Sequence, residues 1–199
     1  APILIKSSHS PCYTASMRVV AVREQSERGK LSEDLLEKIA SRLESAGGSL
    51  DIIDIRPGDV AYCAGCLWCW HTGNGRCRMN DRVPELEERV READLLLFLS
   101  PLRFGTMGSA VKSLIDRGFG CKPSREGLIP QFVIGYGEDS TEDERSTFID
   151  ITLLHRGRAD IVHPELAGIP VDSAVTGSKK ENSAVAARIL DFASSGVPA

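Results

Sequence analysis

The sequence predicts an α/β fold, a five-stranded, doubly wound parallel sheet with helices on both faces. Three observations predict it. Short apolar strands and helical stretches with one apolar face alternate five times along the chain. Leu95 to Leu99 is an unbroken apolar run, as expected of a central strand covered on both faces. At 199 residues with 42% hydrophobic content, the chain can bury one sizeable core, which favours a single domain over two.

The elements follow in order. Arg18 to Val22 is a short apolar strand, and Leu31, Leu35, Leu36, Ile39 and Leu43 then fall at helical spacing. Gly47-Gly48 ends that helix. Leu50 to Ile55 gives the second strand, a cysteine-rich insertion occupies about residues 60–80, and Val83, Leu86, Val90 and Ala93 mark a short helix. After the third strand at Leu95 to Leu99 come a loop, a helix carrying Val111, Leu114 and Ile115, and a fourth strand at Phe132 to Tyr136. A helix around Phe148 to Leu154, a fifth strand near Asp160 to Val162 and a last helix from about Ala184 to Phe192 complete the domain, which runs over 17–199. The run Thr141 to Glu144, following Glu138-Asp139, suits a helix N-terminus, where acids are favourable. Residues 1–16 are expected to form an N-terminal extension. Ile5 to Leu50 is too long for one crossover, whereas Val22 to Leu50 fits a loop and about four helical turns.

Composition narrows the function class. No apolar run approaches the roughly 20 residues of a membrane helix, and the N-terminus lacks the pattern of a secretory signal. The expectation is a soluble, cytoplasmic protein with no membrane partner. A net charge of −4 without a basic block argues against nucleic acid as a partner.

The chemistry concentrates in Cys63, Cys66, Cys69 and Cys77, spaced Cys-x2-Cys-x2-Cys-x7-Cys with Gly73-Asn74-Gly75 inside the last interval. Four thiolates at such spacing suit a 4Fe-4S cluster, a tetrahedral zinc or a set of redox-active thiols. Structural zinc more often uses two separated Cys-x2-Cys pairs, so the compact run points towards iron and sulfur. Trp68 and Trp70 flank Cys69, either shielding a cluster from water or meeting a partner subunit. Cys12 and Cys121 have no motif company, and His9, His71, His155 and His163 lack mutual spacing for a metal.

In doubly wound folds ligands bind beyond the carboxyl ends of the strands. The loop after the third strand reads Ser100-Pro101-Leu102-Arg103-Phe104-Gly105-Thr106-Met107-Gly108-Ser109. Its glycines and hydroxyls would let backbone amides approach a flat ligand, and Phe104 could cover a ring face. The alternative is an ordinary strand-to-helix connection.

The order of these motifs resembles the iron-sulfur flavoprotein branch of the flavodoxin-like NAD(P)H-dependent FMN reductases. The motifs are Tyr62-Cys63-Ala64-Gly65-Cys66, Cys69, Gly75-Arg76-Cys77, Asn80-Asp81, Ala93-Asp94, Ser100-Pro101 to Gly105, and Lys112 to Asp116-Arg117. The resemblance runs from about Met17 to the chain end. It implies a flavodoxin-like oligomer that binds FMN at the strand ends and a 4Fe-4S cluster on Cys63, Cys66, Cys69 and Cys77. Pro101, Leu102, Arg103, Phe104, Gly105, Thr106 and Met107 would line the isoalloxazine ring, and Tyr136, Gly137 and Glu138 would form the facing wall. Asp116-Arg117 would serve packing and capping at a helix end.

One stretch departs from the family. Relatives carry Gly-Ser-Pro-Arg-x-x-Gly-Asn-Thr/Ser after the first strand to hold the FMN phosphate, where this chain reads Arg23 to Ser32. Gly29 survives, and Ser26, Arg28, Lys30 and Ser32 offer phosphate ligands, but Glu24 and Glu27 are expected to repel a dianion there.

The function implied is electron transfer between the cluster and FMN, linking a ferredoxin or NAD(P)H donor to an acceptor, with no protein acid or nucleophile at its centre. No Gly-x-Gly-x-x-Gly fingerprint supports dedicated dinucleotide binding. Two alternatives stand beside it: a cluster-free FMN-dependent NAD(P)H reductase, and a cofactor-poor flavodoxin-like partner or scaffold domain.

Overall fold

A computed structural model of the chain describes residues 17–26, 29–72, 77–119, 128–157 and 170–195. Its elements run β1 (Arg18–Glu24), α1 (Lys30–Ser45), β2 (Ser49–Ile55), α2 (Trp68–His71), α3 (Val83–Val90) and β3 (Leu95–Pro101). They continue with α4 (Ser109–Asp116), β4 (Gln131–Tyr136), α5 (Glu142–Gly157), β5 (Val171–Thr176) and α6 (Lys179–Ser195). The strands form one parallel sheet in the order β2-β1-β3-β4-β5. That is the flavodoxin-like order, and its direction reverses between β1 and β3, where such folds place their ligands.

Alternation along the strands divides the core into two layers. Val20, Val22, Leu96, Phe98 and Val133 face α3, α4 and Phe148 of α5, while Val19, Ala21, Leu97, Phe132 and Ile134 face α1 and α6. Every residue of β3 is buried, as the apolar run at Leu95 to Leu99 predicts. Register places Val22 beside both Ile53 and Phe98, so the C-terminal ends of β1, β2 and β3 open onto the same edge.

Local signals set the ends. The amides of Gly47 and Gly48 bond back to the carbonyls of Glu44 and Leu43, closing α1 where the sequence predicts. α5 opens on a reciprocal cap, in which the Thr141 amide donates to Glu144 Oε2 and the Glu144 amide donates to Thr141 Oγ1. The fifth strand requires a correction. It lies at Val171–Thr176 rather than near Asp160 to Val162, a stretch that falls outside the described residues. As the edge strand it buries only part of its surface, so the half-buried Asp172 is tolerated, and with the buried Ser173 and Thr176 it dilutes the apolar signal. The expected N-terminal extension at 1–16, with His9 and Cys12, also lies outside, as do Cys121 and His163.

Candidate functional site

At the carboxyl end of β1 the chain turns through Gln25, Ser26 and Gly29 into α1, whose N-terminal residue Gly29 supplies no side-chain cap. The amides of the first helical turn carry the positive end of the helix dipole, with the Glu33 carboxylate in the same turn as their acidic neighbour. Beside them is a cleft of about 530 Å³ lined by Arg23, Gln25, Ser26, Gly29, Ser32, Glu33, Arg56 and Pro57. Arg23 forks onto Asp54 through Nε at 2.7 Å and a terminal nitrogen at 3.0 Å, and Arg56 Nε donates to Gln25 Oε1 at 2.7 Å. Both arginines escape the sequence reading. Their signal is position, since each sits at the end of one of two neighbouring parallel strands.

The predicted phosphate ligands divide. Ser26 and Ser32 line the cleft, although Ser32 is fully buried and its hydroxyl donates to the Gly29 carbonyl at 2.8 Å. Lys30 is exposed and lines neither cavity, and Arg28 and Glu27 lie outside the described residues.

Glu24 does not face this loop. Its side chain turns inward, 3% exposed, and Oε2 accepts hydrogen bonds from the amides of Ala110 at 3.1 Å and Val111 at 3.0 Å. It thus caps α4, whose own N-terminal residue is Gly108. A Cβ at Gly108 would stand 2.4 Å from the Glu24 carboxylate, so the glycine makes room for the cap. Burial pushes the Glu24 carboxyl above its ordinary range, opposed by the two amide bonds and by Arg103. The expected repulsion of an anion by Glu24 is corrected accordingly, because its charge is spent on α4.

The loop after β3 is held from both sides. Ser100 Oγ accepts the Gly108 amide at 2.7 Å, and the Leu102 amide donates to the Tyr136 carbonyl at 2.9 Å. Arg103 and Thr106 exchange backbone hydrogen bonds across Phe104-Gly105, which adopt φ of 49° and 72°. Both central residues being left-handed makes this a type I′ turn. Gly105 is needed twice over, since a Cβ there would also lie 2.9 Å from Thr147 of α5. Phe104, 92% exposed, is displayed at the tip. Met107 goes the other way, into the core, instead of joining the ring-lining set expected for it.

The structure brings together Ser26, Leu31, Pro101, Leu102, Arg103, Tyr136, Gly137 and Glu138 around a shallow recess of about 30 Å³. Tyr136 is buried, and its hydroxyl donates to the Glu24 carbonyl at 2.6 Å, tying the ends of β4 and β1 beneath β3's loop. Burial raises the Tyr136 phenol above its ordinary value. Ser26 lines both cavities, so recess and cleft adjoin at the strand ends, and the two together are called the strand-end groove. Their order suits an elongated ligand: an anionic end would meet the first turn of α1, and a flat body would lie over the shallow recess against Pro101 to Arg103.

The cysteines occupy the loop between β2 and α3. Cys63 and Cys66 are exposed, Cys69 and Cys77 are half-buried, and none is in a disulfide. Gly65 and Leu67 have positive φ, Tyr62 is 74% exposed, and the Arg78 guanidinium lies 5.6 Å from the Trp68 ring centre. The side chain of Trp70, like residues 73–76, is not described. Among the described residues, no three His, Cys, Asp or Glu side chains gather closely enough to hold a metal ion. The donors suit a cluster in chemistry, four thiols on one loop, while their geometry is not assembled in advance.

The base of this loop is firmly built. Asp81 accepts the amides of Ala61 at 2.9 Å and Val83 at 3.1 Å and forms a two-pronged ion pair with Arg117, which also donates to the Ala61 carbonyl at 3.3 Å. Arg117 is the residue after α4, and its side chain is 1% exposed. The expected packing role of Asp116-Arg117 thus resolves into an exposed pair, Lys112 with Asp116, and a buried one. Burial opposes ionisation of Asp81, but Arg117 and the two amides outweigh it and hold the carboxyl below its usual range.

Comparison with known proteins fits this geometry. The sequence pattern of the NADPH-dependent FMN reductases matches residues 17–127, more than half of the chain. The chain belongs to that family. Its relatives include an iron-sulfur flavoprotein of Archaeoglobus fulgidus, 34% identical over 83 residues, which cover 42% of this chain and 40% of that protein. A second iron-sulfur flavoprotein from the same organism is 23% identical over 139 residues, covering 69% of this chain and 62% of the relative. The matched segments thus span about half the length of these relatives. Among solved structures, an NAD(P)H:quinone oxidoreductase from Methanothermobacter marburgensis is 17% identical with a TM-score of 0.64, covering 92% of this chain and all of the other, a likeness of fold. No helix among the described residues is long and apolar enough to cross a membrane.

Proposed function

We propose that this chain is an iron-sulfur flavoprotein, a flavin-dependent oxidoreductase that holds FMN along the strand-end groove and a 4Fe-4S cluster on Cys63, Cys66, Cys69 and Cys77. It would work in the cytoplasm as a homo-oligomer, passing electrons from a ferredoxin or NAD(P)H to an acceptor. The observation that carries the flavin half is the first turn of α1, begun by Gly29 without a side-chain cap and set among Arg23, Arg56 and Glu33, with Glu24 turned away into α4. There the amides of α1 and the hydroxyl of Ser26 would take the phosphate. Pro101, Leu102 and Arg103 would lie along one side of the ring, and Gly137 and Glu138 above the buried Tyr136 would close the other. Phe104, on its rigid turn, would limit water at the rim. FMN would supply two-electron chemistry released one electron at a time, matched to the one-electron capacity of a cluster, and the protein would supply position and electrostatics.

The deciding experiment is the visible spectrum of the protein purified without oxygen, before and after chemical reduction, with iron and flavin measured on the same sample. Structured flavin bands over a broad absorption that bleaches, with about four irons per chain, are expected. Flavin bands without iron would establish instead the cluster-free reductase, a reading favoured by the ungathered thiols. A colourless protein would sink both in favour of a binding domain.

A further inference from the structure

We propose that Arg117 is the positioning residue of the cysteine loop, clamping the two ends of the loop to α4 and donating from its unspent Nε–H to the sulfur of Cys77 once that sulfur is a thiolate ligand. This rests on the reading that the four cysteines hold a cluster. Three observations carry it.

The first is connectivity. Through Asp81 and directly, the guanidinium reaches Ala61 at the start of the loop and Asp81 at its end, positions 56 and 36 residues away in sequence. Arg117 itself is fixed, because it follows a helix whose Val111, Leu114 and Ile115 are buried in the core. A loop whose described residues hold no regular structure outside α2 is thereby referred to the rigid part of the domain.

The second is burial. The Arg117 side chain is 1% exposed and that of Asp81 11%. Taking such a pair out of water is costly unless its remaining hydrogen-bonding capacity is met, and exposed ion pairs are the usual arrangement. Asp81 is fully met, by two amides and two guanidinium nitrogens.

The third is the atom left over. Arg117 Nε is buried and has no hydrogen-bond partner among the described residues, while Cys77 lies close enough to the same guanidinium to favour its charge both electrostatically and by a side-chain hydrogen bond. A neutral thiol is a weak acceptor, whereas a thiolate accepts a charge-assisted hydrogen bond. A ligating Cys77 would therefore give Arg117 a stronger partner than a free thiol does. Hydrogen bonds to ligand sulfurs and nearby positive charge raise a cluster's reduction potential, so Arg117 would set both the retention of the cluster and its potential.

The test compares Arg117→Met, Arg117→Lys and Asp81→Asn with the wild type, each as the full chain prepared without oxygen. Iron and sulfide content, the rate of iron loss to a chelator, the cluster's midpoint potential and the flavin content are read. Arg117→Met should lose iron about tenfold faster or more, and its potential should fall. A tenfold change in the oxidised-to-reduced ratio at fixed poise would be about 59 mV for one electron. Arg117→Lys keeps the charge without the fork, so it should lose iron faster with a smaller shift in potential. Asp81→Asn should loosen the loop and leave flavin content unchanged. Wild-type retention and potential in Arg117→Met would overturn the proposal. If that variant does not fold, wild-type retention in both Arg117→Lys and Asp81→Asn would overturn it. A wild-type chain that takes up no iron even after reconstitution would bring down the cluster reading itself, and the proposal with it.

Discussion

The strand-end groove and the cysteine loop are built on opposite plans. The groove is made by secondary structure: parallel strands in register, a type I′ turn wedged against α5, a carboxylate capping α4, and a tyrosine tying β4 to β1. Its walls are held in place by the sheet and its loops. Between its ends the described part of the loop has little regular structure beyond α2, exposes Tyr62, Leu67 and Trp68, and leaves its thiols ungathered. It is fixed at its base by one buried ion pair. On the proposed reading, the difference teaches that one fold would pair a site built by the sheet itself with one that a cluster would complete, with different failures on mutation.

The largest effect is expected from removing a ligand. Cys66→Ser should lower iron content more than about tenfold and leave the thermal unfolding midpoint and flavin content close to wild type, because Cys66 is exposed and outside both core layers. Loss of flavin together with iron would erase the distinction between the regions. Next comes Gly108→Ala, which attacks the groove's framework. Its Cβ would collide with the Glu24 carboxylate and force it off the amides of Ala110 and Val111. Leaving such buried groups unmatched costs about 1–3 kcal/mol, readable as a lowered urea midpoint with weaker flavin binding and unchanged iron. Flavin affinity untouched by a clear loss of stability would mean that the cap does not shape the groove.

Much of this was legible beforehand, for reasons that can be named. β1, β3 and β4 are covered on both faces and so read as apolar runs, and the leucines of α1 all fall on its buried side. Pro101 to Arg103 and Tyr136 to Glu138 meet because strand order dictates which loops adjoin. β5 was misplaced because an edge strand carries a weak pattern. Glu24 was misjudged by position alone. Strand parity puts it on the same face as Val20 and Val22, which pack under α4, and that alternation was available in the sequence. The partnership of Asp81 with Arg117 was not readable, since only tertiary structure joins two residues so far apart.

The same two carboxylates offer a finer test, because pH should act on the regions with opposite sign. Burial raises the Glu24 carboxyl above its ordinary 4.5. Its contribution to stability is therefore full below about that value and is lost as pH rises through the raised one. Asp81, held below its ordinary 3.8 by Arg117 and two amides against the cost of burial, contributes above that value and loses the contribution as pH falls through the lowered one. Relative to Glu24→Gln, whose amide oxygen can still accept both α4 amides, the wild type should lose stability as pH rises from 4.5. Relative to Asp81→Asn, it should lose stability as pH falls below 3.8. Urea midpoints across that range measure both, and slopes of one sign would break the contrast.

The smallest expected change concerns Phe104. A bulky residue at φ 49° pays for its left-handed backbone, about 1–2 kcal/mol, and with 92% of its surface exposed it recovers little by packing. Strain kept without a packing return suggests that the ring serves a ligand. Phe104→Asn, which tolerates the same backbone, should therefore raise the urea midpoint slightly while weakening flavin retention or the turnover of a planar acceptor. Because Gly105 and the bonds between Arg103 and Thr106 are unchanged, the turn itself should survive. Stability gained with no functional loss would make the exposed ring incidental, and the rigid turn would then be a feature of folding alone.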